Sequence, residues 1–138
     1  MKKVFILPFL VAISFLTKAQ ETAPDHYIFS IYFGGGSYYI DAEQEAEFYQ
    51  WLESIPNFKQ HQISVHSHTD DIGSQVYNEQ LSQLRSEAAR RRLLKKGVSS
   101  ERISIEDFGE LNPVYDNNTW EGKLKNRRVD IIIKPELL

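Results

Sequence analysis

The stretch from His68 to Arg85, HTDDIGSQVYNEQLSQLR, constrains the fold of this chain more than any other segment. It begins where the alternating pattern of a strand ends, turns at Gly73, and continues as a helix that Ser74 can cap. Residues four apart define the inward face of this helix: Leu81, Arg85, Ala89 and Leu93. An arginine that faces a core is costly unless an anion meets it. The segment therefore predicts a strand, a turn and a helix whose buried guanidinium needs a partner.

Asp70 is the carboxylate closest to this helix on the preceding strand end, and two interpretations of its relation to Arg85 stay open. The two side chains could form a structural ion pair that closes the turn, a common arrangement that often contributes little to stability. Alternatively, both could face one cleft and bind a zwitterion, with the ammonium at Asp70 and the anion at Arg85.

The same segment resembles the OmpA-like peptidoglycan-binding domain, the C-terminal domain of outer-membrane protein A and its relatives. The pattern HTDxxG begins at His68, and NxxLSxxR runs from Asn78 to Arg85. Further pieces follow in the same order: Gly109–Glu110, Pro113 and the run NRRVDI at Asn126–Ile131. The resemblance covers roughly Tyr27 to Lys134, which is nearly all of the chain after its first residues.

The resemblance implies non-catalytic binding of peptidoglycan through the meso-diaminopimelate of its peptide stem, without a cofactor. Asp70 would take the ammonium of the diaminopimelate side chain and Arg85 its carboxylate. The remaining residues that the resemblance places at this site are Gly34, Gly35, His68, Thr69, Ile72, Asn78, Leu81 and Arg128. Asn78 and Ser82 are expected to hydrogen-bond to the Asp70 turn.

One departure from the family pattern keeps an alternative open. The family usually has a glycine immediately before HTD, and this chain has Ser67. If that glycine needs a positive φ or close packing, the Asp70 turn would be displaced. The alternative is an OmpA-like protein-interaction module that has lost peptidoglycan binding and has an envelope protein as its partner. A cell-wall hydrolase is disfavoured, because the chain has no cysteine nucleophile and no zinc-protease motif.

Hydrophobic periodicity predicts an α+β fold with the order β-α-β-α-β-β, a mixed sheet and helices packed on one face. The apolar run Tyr27–Phe33 reads as a central strand that is buried on both faces. Asp41 and Gln44 begin the first helix as a capping box, and Pro56 ends it. A right-handed crossover makes the first two strands parallel, which brings the Gly34–Gly36 loop to the sheet edge where Asp70 lies. The other predicted segments are strand Gln62–His66, helix Gln75–Lys96 before Gly97, strand Arg102–Phe108, a long loop Gly109–Lys125 and strand Arg127–Lys134.

The N-terminal residues predict export. Lys2 and Lys3 precede an apolar run that is too short for a comfortable membrane span, and Thr17 and Ala19 are the small residues that a signal peptidase reads. We therefore divide the chain into a signal peptide (1–19), a short linker (20–26) and an OmpA-like domain (27–138). The expected location is the periplasm, in association with the outer membrane or the cell wall. The chain has no cysteine, so we expect neither a disulfide nor a lipid anchor, and no membrane span in the mature chain.

The net charge and the family resemblance argue against two other classes of partner. Removing Lys2, Lys3 and Lys18 changes the net charge from −3 to −6, which gives no electrostatic footprint for nucleic acid. The one basic cluster, Arg90–Lys96, reads as cations in the last turns of a helix. His66 and His68 share a strand face and could ligate a metal. The resemblance explains His68 as the residue that orders the turn, so no metal site is expected.

Overall fold

The computed structural model describes residues 24–136. The predicted signal peptide (1–19) lies outside the described residues, as does most of the linker at 20–26. Along the chain the elements are β1 Tyr27–Tyr32, α1 Ala42–Ser54, β2 Gln62–His68, α2 Gln75–Lys95, β3 Ile103–Gly109, α3 Trp120–Asn126 and β4 Arg128–Lys134, with short 3-10 turns at Phe58–Gln60 and Ser100–Arg102.

The four strands form one mixed sheet in the order β1-β4-β2-β3. β4 is antiparallel to both β1 and β2, and β2 is parallel to β3. β1 and β2 therefore run in the same direction, as a right-handed crossover requires, although β4 lies between them. The predicted α+β class with a mixed sheet is confirmed.

The prediction that Tyr27–Phe33 forms the central strand is wrong, because β1 is an edge strand that, within residues 24–136, pairs only with β4. Its apolar character does not reflect burial on two faces: Ile28 is 51% exposed and Tyr32 is 45% exposed. Ile31 is the fully buried residue of this strand. The interior positions belong to β4 and β2, and the alternating residues Val129, Ile131 and Ile133 of β4 are each 0% exposed.

The hydrophobic core lies between one face of the sheet and the helices α1 and α2. Every second side chain of each strand points to this face and packs against the inward-facing apolar residues of both helices. The core comprises Ile31, Phe33, Ile40, Phe48, Leu52, Ile55, Ile63, Val65, Ala89, Leu93, Val98, Val129, Ile131 and Ile133. None of the helices within residues 24–136 combines the length and the hydropathy that crossing a bilayer requires.

The N-caps of α1 and α2 are the predicted residues, Asp41 and Ser74. The reciprocal half of the predicted Asp41–Gln44 capping box does not form, because the Gln44 side chain bonds Tyr32 and the Asp41 carboxylate. Asp41 accepts a hydrogen bond from the backbone N–H of Gln44 at 2.9 Å, and Ser74 accepts one from Tyr77 at 3.1 Å. The side-chain amide of Gln44 bonds both backbone groups of Tyr32, accepting at 2.9 Å and donating at 3.0 Å. It thereby occupies part of the free edge of β1. α2 ends just before Gly97, whose φ of +85° terminates the helix as predicted.

The predicted loop Gly109–Lys125 contains a helix that the sequence pattern does not reveal. α3 has only seven residues and includes Gly122, so it carries no apolar stripe long enough to recognise. Thr119 caps it by accepting from the Gly122 N–H at 3.0 Å. Gly122 lies against the chain at Asp116, where an added Cβ would be 1.9 Å from the carbonyl oxygen. The helix leads directly into β4 and brings Arg127 to the end of the sheet.

Candidate functional site

A cavity of about 240 Å³ opens at the sheet edge where β1 and β2 end and α2 begins. Its lining residues are Gly35, Gly36, Asp70, Ile72, Tyr77, Asn78, Leu81, Arg85 and Arg127. The structure thus brings six of the sequence-predicted site residues together: Gly35, Asp70, Ile72, Asn78, Leu81 and Arg85. The other four, Gly34, His68, Thr69 and Arg128, do not line this cavity.

Arg85 is buried at the floor of the site, with 1% of its surface exposed. Its guanidinium donates to three backbone carbonyls: Nε to Ser37 at 2.8 Å, Nη1 to His68 at 3.0 Å and Nη2 to Gly34 at 3.1 Å. It also lies over the ring of Phe33, with Cζ 5.0 Å from the ring centre. These contacts leave two of the five N–H donors of a guanidinium for a ligand.

The charge of Arg85 is compensated by carbonyl dipoles. Within residues 24–136 no carboxylate forms a direct ion pair with it. Burial lowers the pKa of Arg85 to about 10, an effect that the nearby Asp70 opposes and Arg127 reinforces. Arg85 stays protonated at neutral pH and is a buried cation next to an open cavity.

Asp70 forms an ion pair with Arg127, and neither sequence-based interpretation anticipated this partner. The Oδ2 atom of Asp70 accepts from Arg127 Nε at 2.5 Å, and its Oδ1 atom accepts from the Ile72 backbone N–H at 3.0 Å. Asp70 and Arg127 are each 6% exposed. A carboxylate offers about four lone-pair positions, so this Asp70 keeps acceptor capacity for a ligand ammonium.

Arg127 is the site residue that sequence reasoning missed, in favour of its neighbour Arg128. The strand alternation contained the necessary signal. Every second side chain along a strand points to the same face. Val129 and Ile131 face the helices, so Arg127 lies on that side and Arg128 points to the opposite face. There Arg128 donates to Asp130 Oδ2 at 3.0 Å and lies over the Tyr115 ring. The structure therefore places the Arg128 side chain away from the cavity.

Gly34, His68 and Thr69 contribute to the site through the backbone. The carbonyls of Gly34 and His68 accept from Arg85, as described above. Thr69 donates its backbone N–H to Gly109 at 2.8 Å, and its hydroxyl donates to the Asp70 carbonyl at 2.8 Å. These contacts fix the turn that carries Asp70.

The His68 ring points to the outer face of the sheet, where it stacks on Phe108 with ring centres 5.0 Å apart. Burial, followed by the positive charge of Arg128, lowers the pKa of His68 to about 4. His66 contacts the same Phe108 ring edge-on, so the two histidines share a face as predicted. No group of three or more histidine, aspartate or glutamate side chains in the described part of the chain is arranged to hold a metal ion.

Asn78 and Ser82 were expected to bond to the Asp70 turn, and the structure corrects this. Asn78 Nδ2 donates to Glu110 Oε2 at 2.8 Å, and Ser82 Oγ accepts from the Gly109 N–H at 3.2 Å. Both residues thus anchor the turn after β3 to α2, and Gly109 in turn holds Thr69. The support of the Asp70 turn is indirect.

Ser67 is fully buried, and its backbone does not adopt a positive φ. The β2–β3 register shifts between Ser67 and His68, so the strand accommodates serine at a local irregularity. The Asp70 turn forms with serine at this position.

The electrostatic balance of the cavity favours ligands that carry a carboxylate. Its charged lining residues are two arginines, Arg85 and Arg127, and one aspartate, Asp70. Guanidinium groups match the geometry of carboxylates, and Asp70 can accept from an ammonium. The site can therefore bind an amino-acid zwitterion, and it keeps one positive charge in excess.

A protein-family model described as the OmpA family matches residues 32–127 of this chain. The chain belongs to the OmpA family. Outer membrane porin F of Pseudomonas fluorescens is 40% identical over 74 residues, which are 54% of this chain and 23% of that protein. Peptidoglycan-binding protein ArfA of Mycobacterium tuberculosis is 35% identical over 82 residues, covering 59% of this chain and 24% of that protein. The chain thus spans about a quarter of the length of these curated relatives.

Among solved structures, the fold matches the crystal structure of the peptidoglycan-associated lipoprotein from Burkholderia pseudomallei. The TM-score is 0.65 at 31% sequence identity, over 76% of this chain and 89% of that one. The OmpA family match reaches from the end of β1 to Arg127, so it includes every residue that lines the cavity.

Proposed function

We propose that this chain binds peptidoglycan without catalysing a reaction on it, and that the diaminopimelate side chain of the peptide stem occupies the cavity. The observation that carries the proposal is Arg85, a buried cation whose contacts are backbone carbonyls and which faces a cavity shared with Asp70. A buried charge of this kind is stabilised when an anion completes its hydrogen bonds.

The free end of diaminopimelate is a carbon that bears one ammonium and one carboxylate. In the proposed complex its carboxylate takes the unused N–H donors of Arg85, and its ammonium takes the unused acceptor positions of Asp70. Arg127 holds the Asp70 carboxylate in place through the 2.5 Å bond. Ile72 and Leu81 supply apolar walls for the methylene groups.

Relatives and the N-terminal sequence support the proposed setting. Two of the similar proteins described above are named for peptidoglycan, one as a binding protein and one as an associated lipoprotein. We infer that residues 1–19 direct export, that residues 27–138 form the binding domain, and that the protein acts in the periplasm at the wall or outer membrane.

The proposal is tested by displacement from purified sacculi. The chain should pellet with sacculi, and free meso-diaminopimelate should release it. Nα-acetyl-lysine should not release it, because none of its carbons bears both an ammonium and a carboxylate. Asp70→Asn should weaken retention about ten- to a hundredfold, the value of a charge-assisted contact of about 1.5–3 kcal/mol.

Glu136→Gln is the matched charge control, since Glu136 pairs with Arg102 away from the cavity and its loss should leave binding unchanged. Failure of the wild-type chain to pellet with sacculi would refute the proposal and favour the protein-interaction alternative. Release by Nα-acetyl-lysine as efficient as release by diaminopimelate would refute the role of the zwitterion.

A further inference from the structure

The site cavity continues into a groove along α2. A second cavity of about 160 Å³ shares Gly36, Tyr77 and Leu81 with the site. A third cavity of about 200 Å³ shares Tyr38 and Leu84 with the second. The three cavities therefore form one continuous surface between the loop after β1 and the exposed side of α2.

This groove is long enough for several residues of an extended chain. It runs beside α2 from Leu81 to Arg91, which are ten helical steps apart and therefore about 15 Å apart along the helix at 1.5 Å per residue. An extended peptide covers that distance with about four or five residues. The groove and the site together exceed what the end of one side chain can fill.

The middle of the groove is apolar and open. Tyr38 is 51% exposed, Tyr77 is 46% exposed and Leu84 is 47% exposed. Each tyrosine presents an apolar ring and a hydroxyl that can bond an amide. Contiguous exposed side chains of this type are characteristic of ligand grooves.

The far end of the groove is basic. Arg90 and Arg91 both pair with Glu87, while Arg92 and Lys95 pair with Glu45, so four cations share two carboxylates. Arg91, Arg92 and Glu87 line the third cavity. The cluster stands out in a chain of net charge −3, and its excess positive charge favours an anionic ligand.

We propose that this groove binds the rest of the same peptide stem, with a free stem carboxylate at Arg91 and its alanine side chain against Tyr38 and Leu84. The inference rests on the proposed function, because it starts from a diaminopimelate end already held in the cavity. A bound stem is covalently continuous with that end, and peptide stems carry the free carboxylates that the basic end requires. The sugar rings of the glycan carry no such charge.

The test compares three synthetic probes by calorimetry with the purified chain: free meso-diaminopimelate, the tripeptide L-Ala-γ-D-Glu-meso-diaminopimelate, and the same tripeptide with its glutamate carboxylate amidated. The acidic tripeptide should bind about tenfold more tightly than free diaminopimelate. Amidation should weaken it about two- to fivefold, the range of an exposed ion pair.

Arg91→Gln should weaken the acidic tripeptide by the same two- to fivefold and leave the amidated tripeptide and free diaminopimelate unchanged. Arg90→Gln is the matched control, because Arg90 pairs with the same Glu87 but does not line the groove. It should leave all three probes unchanged.

Equal binding of free diaminopimelate and the tripeptide would overturn the groove and leave the site proposal intact. Equal losses of affinity for the acidic tripeptide in Arg91→Gln and Arg90→Gln would also overturn the groove, since the effect would then come from the overall charge of the protein. As a fourth probe, the same tripeptide joined to its disaccharide should bind no more tightly than the acidic tripeptide. A further gain in affinity with this probe that is lost in Tyr38→Ala would assign the groove to sugar and overturn the proposal. Absence of binding by all three probes would remove both proposals.

Discussion

The pairing of Asp70 with Arg127 can be tested by a double-mutant cycle, in which Asp70→Asn and Arg127→Gln are made singly and together. Both residues are 6% exposed and their atoms are 2.5 Å apart, so each single variant leaves the other charge buried without its partner. Breaking a buried pair in this way typically costs about 3–5 kcal/mol. Asp70→Asn keeps an acceptor for the Ile72 N–H, so we expect the low end, about 3 kcal/mol.

The double variant removes both charges, and its cost should be close to that of one single variant. The expected coupling free energy is therefore about 2–3 kcal/mol. The comparison cycle is Asp70→Asn with Arg85→Gln. Arg85 bonds three carbonyls from two segments and feels Asp70 only through space, so its coupling to Asp70 should be at least about 1 kcal/mol smaller.

The assay is urea denaturation at pH 7, with the free energy of unfolding taken from the linear extrapolation for all six chains. A coupling between Asp70 and Arg85 that equals or exceeds that between Asp70 and Arg127 would refute the reasoning. It would mean that the pair suggested by the sequence forms in solution.

Three further predictions address the loop after β3, the outer face and the choice between adjacent arginines. Gly122→Ala should lower the free energy of unfolding by about 3 kcal/mol, because the added Cβ would overlap the Asp116 carbonyl. Gly35→Ala should be nearly neutral, because the nearest atom to its added Cβ is 3.5 Å away. Urea denaturation of both variants measures the difference. His68 is neutral in the fold with a pKa of about 4, against 6.5 when unfolded, so the unfolded chain binds more protons and stability falls as pH drops from 6.5 towards 4. The loss from this residue is on the order of 3 kcal/mol, and a stability–pH curve for His68→Gln that stays parallel to the wild type over that window would contradict it. Arg128→Gln should leave diaminopimelate binding within about twofold of wild type, since its side chain lies on the outer face; a tenfold loss in calorimetry would show that it reaches the ligand.

Local sequence rules were sufficient for α1 and α2 and for the burial of Arg85, although they missed α3. Asp41 and Ser74 cap as their residue types predict, and the i+4 stripe places Arg85 inward because helix periodicity is a local property. The same is true of the Asp70 turn, which follows directly from the strand before it. These features depend on neighbours within a few residues along the chain.

The order of strands and the partner of Asp70 depend on contacts between distant residues. The apolar pattern of β1 indicates a strand, but it does not specify which neighbours that strand has, and half-exposed aromatic side chains resemble buried ones in sequence. Asp70 and Arg127 are 57 residues apart, so no spacing rule connects them. Only the alternation of side chains between the two faces of the strand, counted back from Val129, could have distinguished Arg127 from Arg128.

The edge position of β1 also determines the length of the chain segment that must form a closed loop before the sheet is complete. In the described part of the chain its only strand partner is β4. Ser30 bonds Asp130 across 100 residues of sequence, whereas Ser104 bonds Ser64 between β3 and β2 across 40. The extra loop-closure entropy is small at equilibrium, about 0.8 kcal/mol for that ratio of lengths. The effect on the order of folding is larger, because β2, α2 and β3 can assemble from one continuous stretch of chain. The aromatic segment Tyr27–Tyr32 has no strand to join until Arg128–Lys134 is in place.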